Sequence, residues 1–260
     1  MSVAPRAVRQ HPSTERIDDA LAVEEPLEIR VEERSIAVLM RSPGHDLDLA
    51  AGFLRTEGVI EDRDDLSALA HLPGDPAGNT VQARLAAGVE AHLDALESAT
   101  RALYASSSCG ICGKASIDRL RIDLAAERPA PLRLPPHILD TLPAALTDAM
   151  DGFARTGGLH GAAAVDRNGQ LLLVREDIGR HNAVDKVVGA CLRADQPVDT
   201  LGILVSSRAG FEIVQKALVA GFGAVWAVGA ASTLAVDLAA ELGLPLTGFL
   251  RAGRHTVYVE

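Results

Sequence analysis

From Gly161 to the C-terminus, short apolar runs alternate with helix-period stretches, and the links between them are a few residues long. Strands joined through helices by such short links lie parallel in one sheet, with the helices covering its faces. The pattern predicts strands over 161–166, 170–176, 201–207, 224–228, 246–250 and 255–259. It predicts helices over 138–155, 180–194, 211–220 and 233–242. Arg167-Asn168-Gly169 makes the first two strands a hairpin, because Asn-Gly adopts the turns that match strand twist. The expected class is α/β, a mixed sheet covered by helices over 137–260.

The N-terminal half has a different texture. Residues 1–15 read as a disordered tail, and 16–104 as a smaller mixed α+β lobe. Segments 26–31 and 35–40 are apolar runs flanked by charge, as in a β-hairpin. Leu47, Leu49, Ala50, Phe53 and Leu54 repeat at helical spacing over 46–57, and Gly58 stops that helix. A second hairpin is expected from 81–85 and a short strand following it. Residues 105–136 form a third kind of text: a loop, a helix over 115–124 and a proline-rich connector over 128–136.

Charge narrows the partners. A formal net charge of −10 and a pI near 5.3 exclude broad, phosphate-driven nucleic-acid binding, though not a local basic pocket. The most apolar run, 217–231, is interrupted by Gly221, Gly223 and Gly229 and is shorter than the roughly 20 residues a bilayer needs. It reads as a helix end followed by a buried strand, with no membrane role. No charged-then-apolar leader opens the chain, so a cytoplasmic protein is expected.

Cys109-Gly-Ile-Cys112 is the sharpest chemical feature. Eight of the nine residues 105–113 are small or thiol-bearing, too few bulky groups to anchor a core element. In a reducing compartment such a pair is metal-binding or catalytic. A structural zinc site would need two further ligands; Cys191 stands alone, and histidines would have to complete it. A thioredoxin-type dithiol would sit at a strand end within a βαβ unit, a frame missing here. The third reading is a persulfide-carrying thiol on a glycine- and serine-rich loop, with Lys114 nearby to favour the thiolate.

Four further stretches carry polar chemistry. Arg175-Glu176-Asp177-Ile178-Gly179-Arg180-His181-Asn182-Ala183-Val184-Asp185-Lys186 packs acid, base and histidine between a strand and a helix, where open α/β sheets bind ligands. A salt-bridged helix cap is the competing explanation for each of those charges alone. Ser206-Ser207-Arg208 and Gly229-Ala230-Ala231-Ser232-Thr233 present N–H groups and hydroxyls at helix N-termini, suited to anions or simply to capping. Phe249-Leu250-Arg251-Ala252-Gly253-Arg254 offers two arginines around a glycine, suited to phosphate or guanine. His160 lacks the following glutamate of a nucleobase deaminase, and the Cys pair precedes it, so deamination is not expected.

Taken together, these motifs closely resemble the formate dehydrogenase accessory sulfurtransferases. The likeness runs from about Glu24 to the C-terminus and includes 24–31, 41–46, 107–114, 156–160, 176–186 and 206–208. It implies a cytidine-deaminase-like fold in non-deaminase use, and a homodimer. It also implies a role: sulfur received as a persulfide from a cysteine desulfurase is delivered to the Mo-bis(molybdopterin guanine dinucleotide) cofactor of formate dehydrogenase, with no structural metal. By position Cys109 would bear the persulfide and Cys112 assist it. Phe249, Leu250, Arg251, Ala252, Gly253 and Arg254 would hold the cofactor, with Arg180, His181, Ser207 and Ser232 supporting its phosphates and guanines. The alternatives are a chaperone that only holds the cofactor and a zinc nucleoside deaminase-like hydrolase.

Overall fold

The computed structural model describes residues 3–9, 16–89 and 130–260. Cys109, Cys112 and the helix expected over 115–124 lie outside the described residues.

Within the stretch expected to be a tail, β1 (Val3–Arg9) pairs antiparallel with β2 (Arg16–Ala22) along its whole length. Its sequence, with Pro5 and scattered arginines, has no apolar alternation to announce a strand; pairing with a partner supplies the order. β3 (Glu25–Val31), β4 (Arg34–Arg41), α1 (Asp46–Thr56), β5 (Leu66–His71) and β6 (Thr80–Leu85) follow. The strands form a four-stranded sheet in the order β4-β3-β6-β5, parallel only between β3 and β6. Alternate residues Leu27, Ile29, Val31, Val81 and Ala83 bury one face under Leu49, Phe53 and Leu54 of α1. The partner of β6 thus precedes it, whereas the sequence placed it after. Leu66–His71 is a half-exposed edge strand whose apolar pattern is weak.

The single helix expected over 138–155 is three: α2 (Pro136–Leu139), α3 (Leu142–Asp148) and α4 (Asp151–Thr156). Pro143 sits in the first turn of α3, where its missing N–H costs nothing but where a continuous helix would be broken. Met150 leaves the helical region, with φ −100° and ψ 76°. The β1–β2 ribbon packs against α4, support that an isolated two-stranded ribbon requires.

The remaining elements match the alternating pattern closely: β7 (His160–Val165), β8 (Leu171–Asp177), α5 (Arg180–Arg193), β9 (Gly202–Val205), α6 (Phe211–Ala220), β10 (Val225–Ala227), α7 (Thr233–Leu242), β11 (Leu246–Arg251) and β12 (Arg254–Val259). They build a mixed six-stranded sheet in the order β12-β11-β10-β9-β7-β8. β9, β10 and β11 are mutually parallel, and β7 is antiparallel to both neighbours. One face packs under α5, α6 and α7 through Val187, Ile213 and Leu238; the other packs under α3 through Leu142, Leu146 and Trp226. Among the described residues no helix is long and apolar enough to cross a membrane.

The two lobes share a seam. Helices α1 and α5 touch backbone to backbone: a Cβ on Gly52 would lie 1.8 Å from the Asp185 carbonyl oxygen, and one on Gly189 1.8 Å from that of Asp48. Charges in this seam are paired. Lys216 Nζ lies 3.0 Å from Asp185 Oδ1, 3.0 Å from Glu57 Oε1 and 2.9 Å from Thr56 Oγ1. These oxygens keep the ammonium charged in spite of its burial. The Asp48 carboxylate accepts from Arg175 at 2.9 Å and also from Arg193.

Candidate functional site

Strand direction decides which residues meet. Because β7 is antiparallel to both β8 and β9, β8 runs parallel to β9, β10 and β11. The C-terminal ends of these four strands therefore open on one edge of the sheet, beside the starts of β7 and β12. This edge gathers His160, Asp177–His181, Ser206–Arg208, Val228–Ser232 and Phe249–Arg254, stretches dispersed over about 95 residues of chain.

At one end of the edge, α5 begins at Gly179 with no side-chain cap and no acid in its first turn. Its helix dipole therefore favours an anion. Arg180 and His181 occupy that turn. His181 Nε2 lies 2.7 Å from Glu212 Oε2 at the start of α6, and this contact, more than the nearby cations, holds the Glu212 carboxyl below its ordinary range. His160 stands close by at the start of β7. Burial, followed by the positive fields of Arg180 and His181, lowers its pKa and favours neutral imidazole. The Arg180 Nε is shielded from solvent and has no hydrogen-bond partner among the described residues.

The turns after β9 and β10 stack on each other. Ala209 N donates to Ala230 O at 3.0 Å, Ser232 N to Ala209 O at 3.1 Å and Gly229 N to Ser207 O at 2.9 Å. Gly229 permits the approach, since a Cβ there would lie 2.8 Å from Arg208 Cα. The hydroxyls are already engaged. Ser206 Oγ accepts from Gly161 N at 2.9 Å, Ser207 Oγ donates to the Arg208 carbonyl at 3.1 Å, and Ser232 Oγ caps α7 by accepting from Ala235 N at 3.3 Å. For Ser232 the capping role weighed at the sequence level is the one its side chain plays.

At the far end, Phe249 holds a left-handed conformation, φ 52°, at an irregularity in the β11–β12 pairing, and its side chain is 43% exposed. An aromatic residue in that region is strained, and such strain gathers at functional positions. Leu250 points the other way, wholly inside the core, so only its backbone can face a ligand. Arg251 Nη1 donates to Val228 O at 2.8 Å and ties the hairpin to the turn after β10. Ala252 and Gly253 (φ 72°) form the reversal, and Arg254 is exposed beside it.

A cavity of about 370 Å³ opens beside this edge, lined by Met150, Phe153, Leu159, His160, Ser206 and Val228 among others. Its wall α4 is anchored by Glu176, whose carboxylate accepts from Gly152 N at 2.8 Å and Phe153 N at 2.7 Å. The dense motif 175–186 is therefore divided. Arg175, Glu176, Asp177, Asn182, Asp185 and Lys186 bind other parts of the protein; Arg180 and His181 stay at the edge, His181 in contact with Glu212 there. Sequence reasoning missed Glu212, a first-turn acid of an ordinary amphipathic helix, and the buried Ser42, which meets the motif from the other lobe. Cys191 is buried, and burial pushes its thiol up to about 12, so it is not a nucleophile. Among the described residues no group of three His, Cys, Asp or Glu side chains is placed to hold a metal.

Comparison with known proteins agrees with this architecture. Residues 22–260 match the model of the FdhD/NarQ family. A Streptomyces coelicolor protein named sulfur carrier protein FdhD is 47% identical over 249 residues, covering 92% of this chain and 87% of that one. An Anaeromyxobacter protein of the same name is 44% identical over 270 residues, covering 100% and 92%. A crystal structure from Desulfotalea psychrophila, assigned as a formate dehydrogenase accessory protein, superimposes with a TM-score of 0.76 at 20% identity, covering 99% of this chain and 96% of that one. That likeness shows the mixed α/β fold.

Proposed function

The chain belongs to the FdhD/NarQ family, and on that footing we propose that it is a sulfur carrier protein serving the maturation of a formate dehydrogenase, its client. In this reading a cysteine desulfurase presents a persulfide, and the Cys109 thiolate attacks its outer sulfur. A new S–S bond forms on Cys109 as the donor thiolate leaves. The Cys112 thiol can then attack the inner sulfur of Cys109, closing a disulfide and releasing the outer sulfur as hydrosulfide; the two cysteines supply the two electrons that reduce it. The recipient is Mo-bis(molybdopterin guanine dinucleotide), a substrate rather than a resident cofactor. Arg180, His181, Arg251, Arg254 and the strand-end N–H groups would bind its phosphates and guanines, and Phe249 would contact it. A homodimer working in the cytoplasm, with a cytidine-deaminase-like C-terminal lobe, completes the proposal.

The observation that supports it most is convergence: stretches 177–181, 206–208, 228–232 and 249–254 meet at one edge, enough to line a ligand much larger than a single phosphate. The test is mass spectrometry after incubation with a desulfurase and cysteine. The expected product carries one added sulfur atom, absent in Cys109→Ala. The same adduct on Cys109→Ala would overturn the role of that cysteine. Restoration of formate dehydrogenase activity by Cys109→Ala in a deletion strain would leave only a cofactor-holding chaperone.

A further inference from the structure

The segment Met40-Arg41-Ser42 at the end of β4 belongs to the N-terminal lobe and has no part in the chemistry above. Yet it meets the turn that presents Arg180 and His181. Asp177, with no exposed surface, receives four hydrogen bonds on its carboxylate. Oδ1 accepts from Gly179 N at 2.8 Å and Asn182 Nδ2 at 3.0 Å, and Oδ2 from Ser42 N at 3.1 Å and Lys186 Nζ at 2.7 Å. The Lys186 ammonium, 1% exposed, completes its three donors on the carbonyls of Ser42 at 2.9 Å and Glu176 at 3.1 Å. Ser42 Oγ accepts from Ile178 N at 3.2 Å, and Asn182 Nδ2 also donates to Met40 O at 2.8 Å.

These bonds converge on one short piece of backbone. The Glu176 carbonyl and the N–H groups of Ile178 and Gly179 are each held by a member of the network, and the next two residues are Arg180 and His181. A buried ion pair contributes little net stability against an apolar replacement, because desolvation offsets the attraction. What a fully satisfied pair does provide is a single geometry. Here that geometry is the direction in which α5 starts, and hence where its N-terminus and two cationic side chains face.

We infer that Asp177 and Lys186 are positioning residues for Arg180 and His181, and that Ser42 makes the N-terminal lobe a working part of the ligand-binding edge. The inference rests on the reading of that edge as the cofactor site. It assigns a role to Ser42 within the motif 41–46 and explains why a lobe whose described residues do not line the edge is fastened to it by buried charges rather than by apolar contact alone.

The test uses the full chain, with GDP as a probe for the guanosine-pyrophosphate end of the cofactor. Lys186→Met and Ser42→Ala should each weaken GDP binding by about tenfold, the size of one lost hydrogen bond. They should also speed amide exchange across Ile178–His181 and leave sulfur loading of Cys109 at the wild-type extent. Ser42→Thr, which keeps the hydroxyl, should restore GDP affinity. Should Lys186→Met not fold, Ser42→Ala, which removes one oxygen, decides the matter. Wild-type GDP affinity together with wild-type exchange over 178–181 in Ser42→Ala would overturn the inference. A wild-type chain that ignores GDP, with exchange over 178–181 still faster in the variants, would instead sink the cofactor reading and uphold the positioning role.

Discussion

At the seam between the lobes, Lys216 has three oxygen partners, Asp48 is shared by two arginines, and the Asp177 carboxylate takes four donors. At the sheet edge, Arg180, Arg208 and Arg254 have no carboxylate within ion-pair distance among the described residues. Both regions draw on the same helix: in α5, Asn182, Asp185 and Lys186 face the seam while Arg180 and His181 face the edge. The contrast follows from solvent access. A charge in the seam must be paired, because burying it alone would cost several kcal/mol. A cation at the edge can stay hydrated until an anion replaces the water. Charge density in a sequence therefore does not mark a site; charge without an internal partner is the better sign.

The seam tolerates added volume least. Gly189→Ala should destabilise the chain by about 3 kcal/mol, because the added carbon meets backbone that cannot rotate away. Urea unfolding measures this, and a loss below about 1 kcal/mol would mean the helices separate easily and the lobes are loosely joined.

Gly52 and Gly189 also show how legibility varied along the chain. The alternating half was legible because each strand and helix there has its own period and its own stop, and helices 211–220 and 233–242 fall where the pattern places them. The convergent turns were legible for a related reason, since parallel topology brings strand ends to one edge whatever the loops contain. The seam was not. A glycine inside the helical pattern 46–57 signals close packing in principle, but nothing local names Gly189 as its counterpart more than 130 residues away. Likewise β1 has no alternation of its own, and the split at Pro143 needed only more weight on proline than on apolar spacing. Within the site, Arg180 and Lys186 look alike in sequence, and only burial separates the residue that faces a ligand from the one that fixes a turn.

A smaller effect separates the regions by pH. Burial tends to raise the Asp48 pKa, but hydrogen bonds from His45, Arg175 and Arg193 outweigh it and hold the carboxyl at about 2, below its ordinary 3.8. A depressed folded pKa contributes stability that is complete above the unfolded value and is lost as pH falls through the folded one. The seam should therefore lose on the order of 2 kcal/mol between pH 3.8 and about 2 from this group. Unfolding followed across that window should be less pH-dependent in Asp48→Asn, although the variant starts from lower stability. Equal slopes would show that Asp48 is not the group through which acid opens the seam.

The smallest expected change in stability, and the most informative, belongs to the edge. Arg254 lies opposite Arg251 across the β11–β12 hairpin, and like charges facing each other on neighbouring strands repel. Arg254→Ala removes that repulsion together with an exposed side chain, so unfolding free energy should stay within about 0.5 kcal/mol of the original or rise slightly. Under the proposed function the same change should markedly reduce the formate dehydrogenase activity restored in a deletion strain, because a phosphate-binding cation is gone. A stability loss approaching that of Gly189→Ala would place Arg254 with the residues that hold the fold. Full activity would remove it from the cofactor site. Unchanged stability with lost activity is what a cation kept free for a ligand predicts.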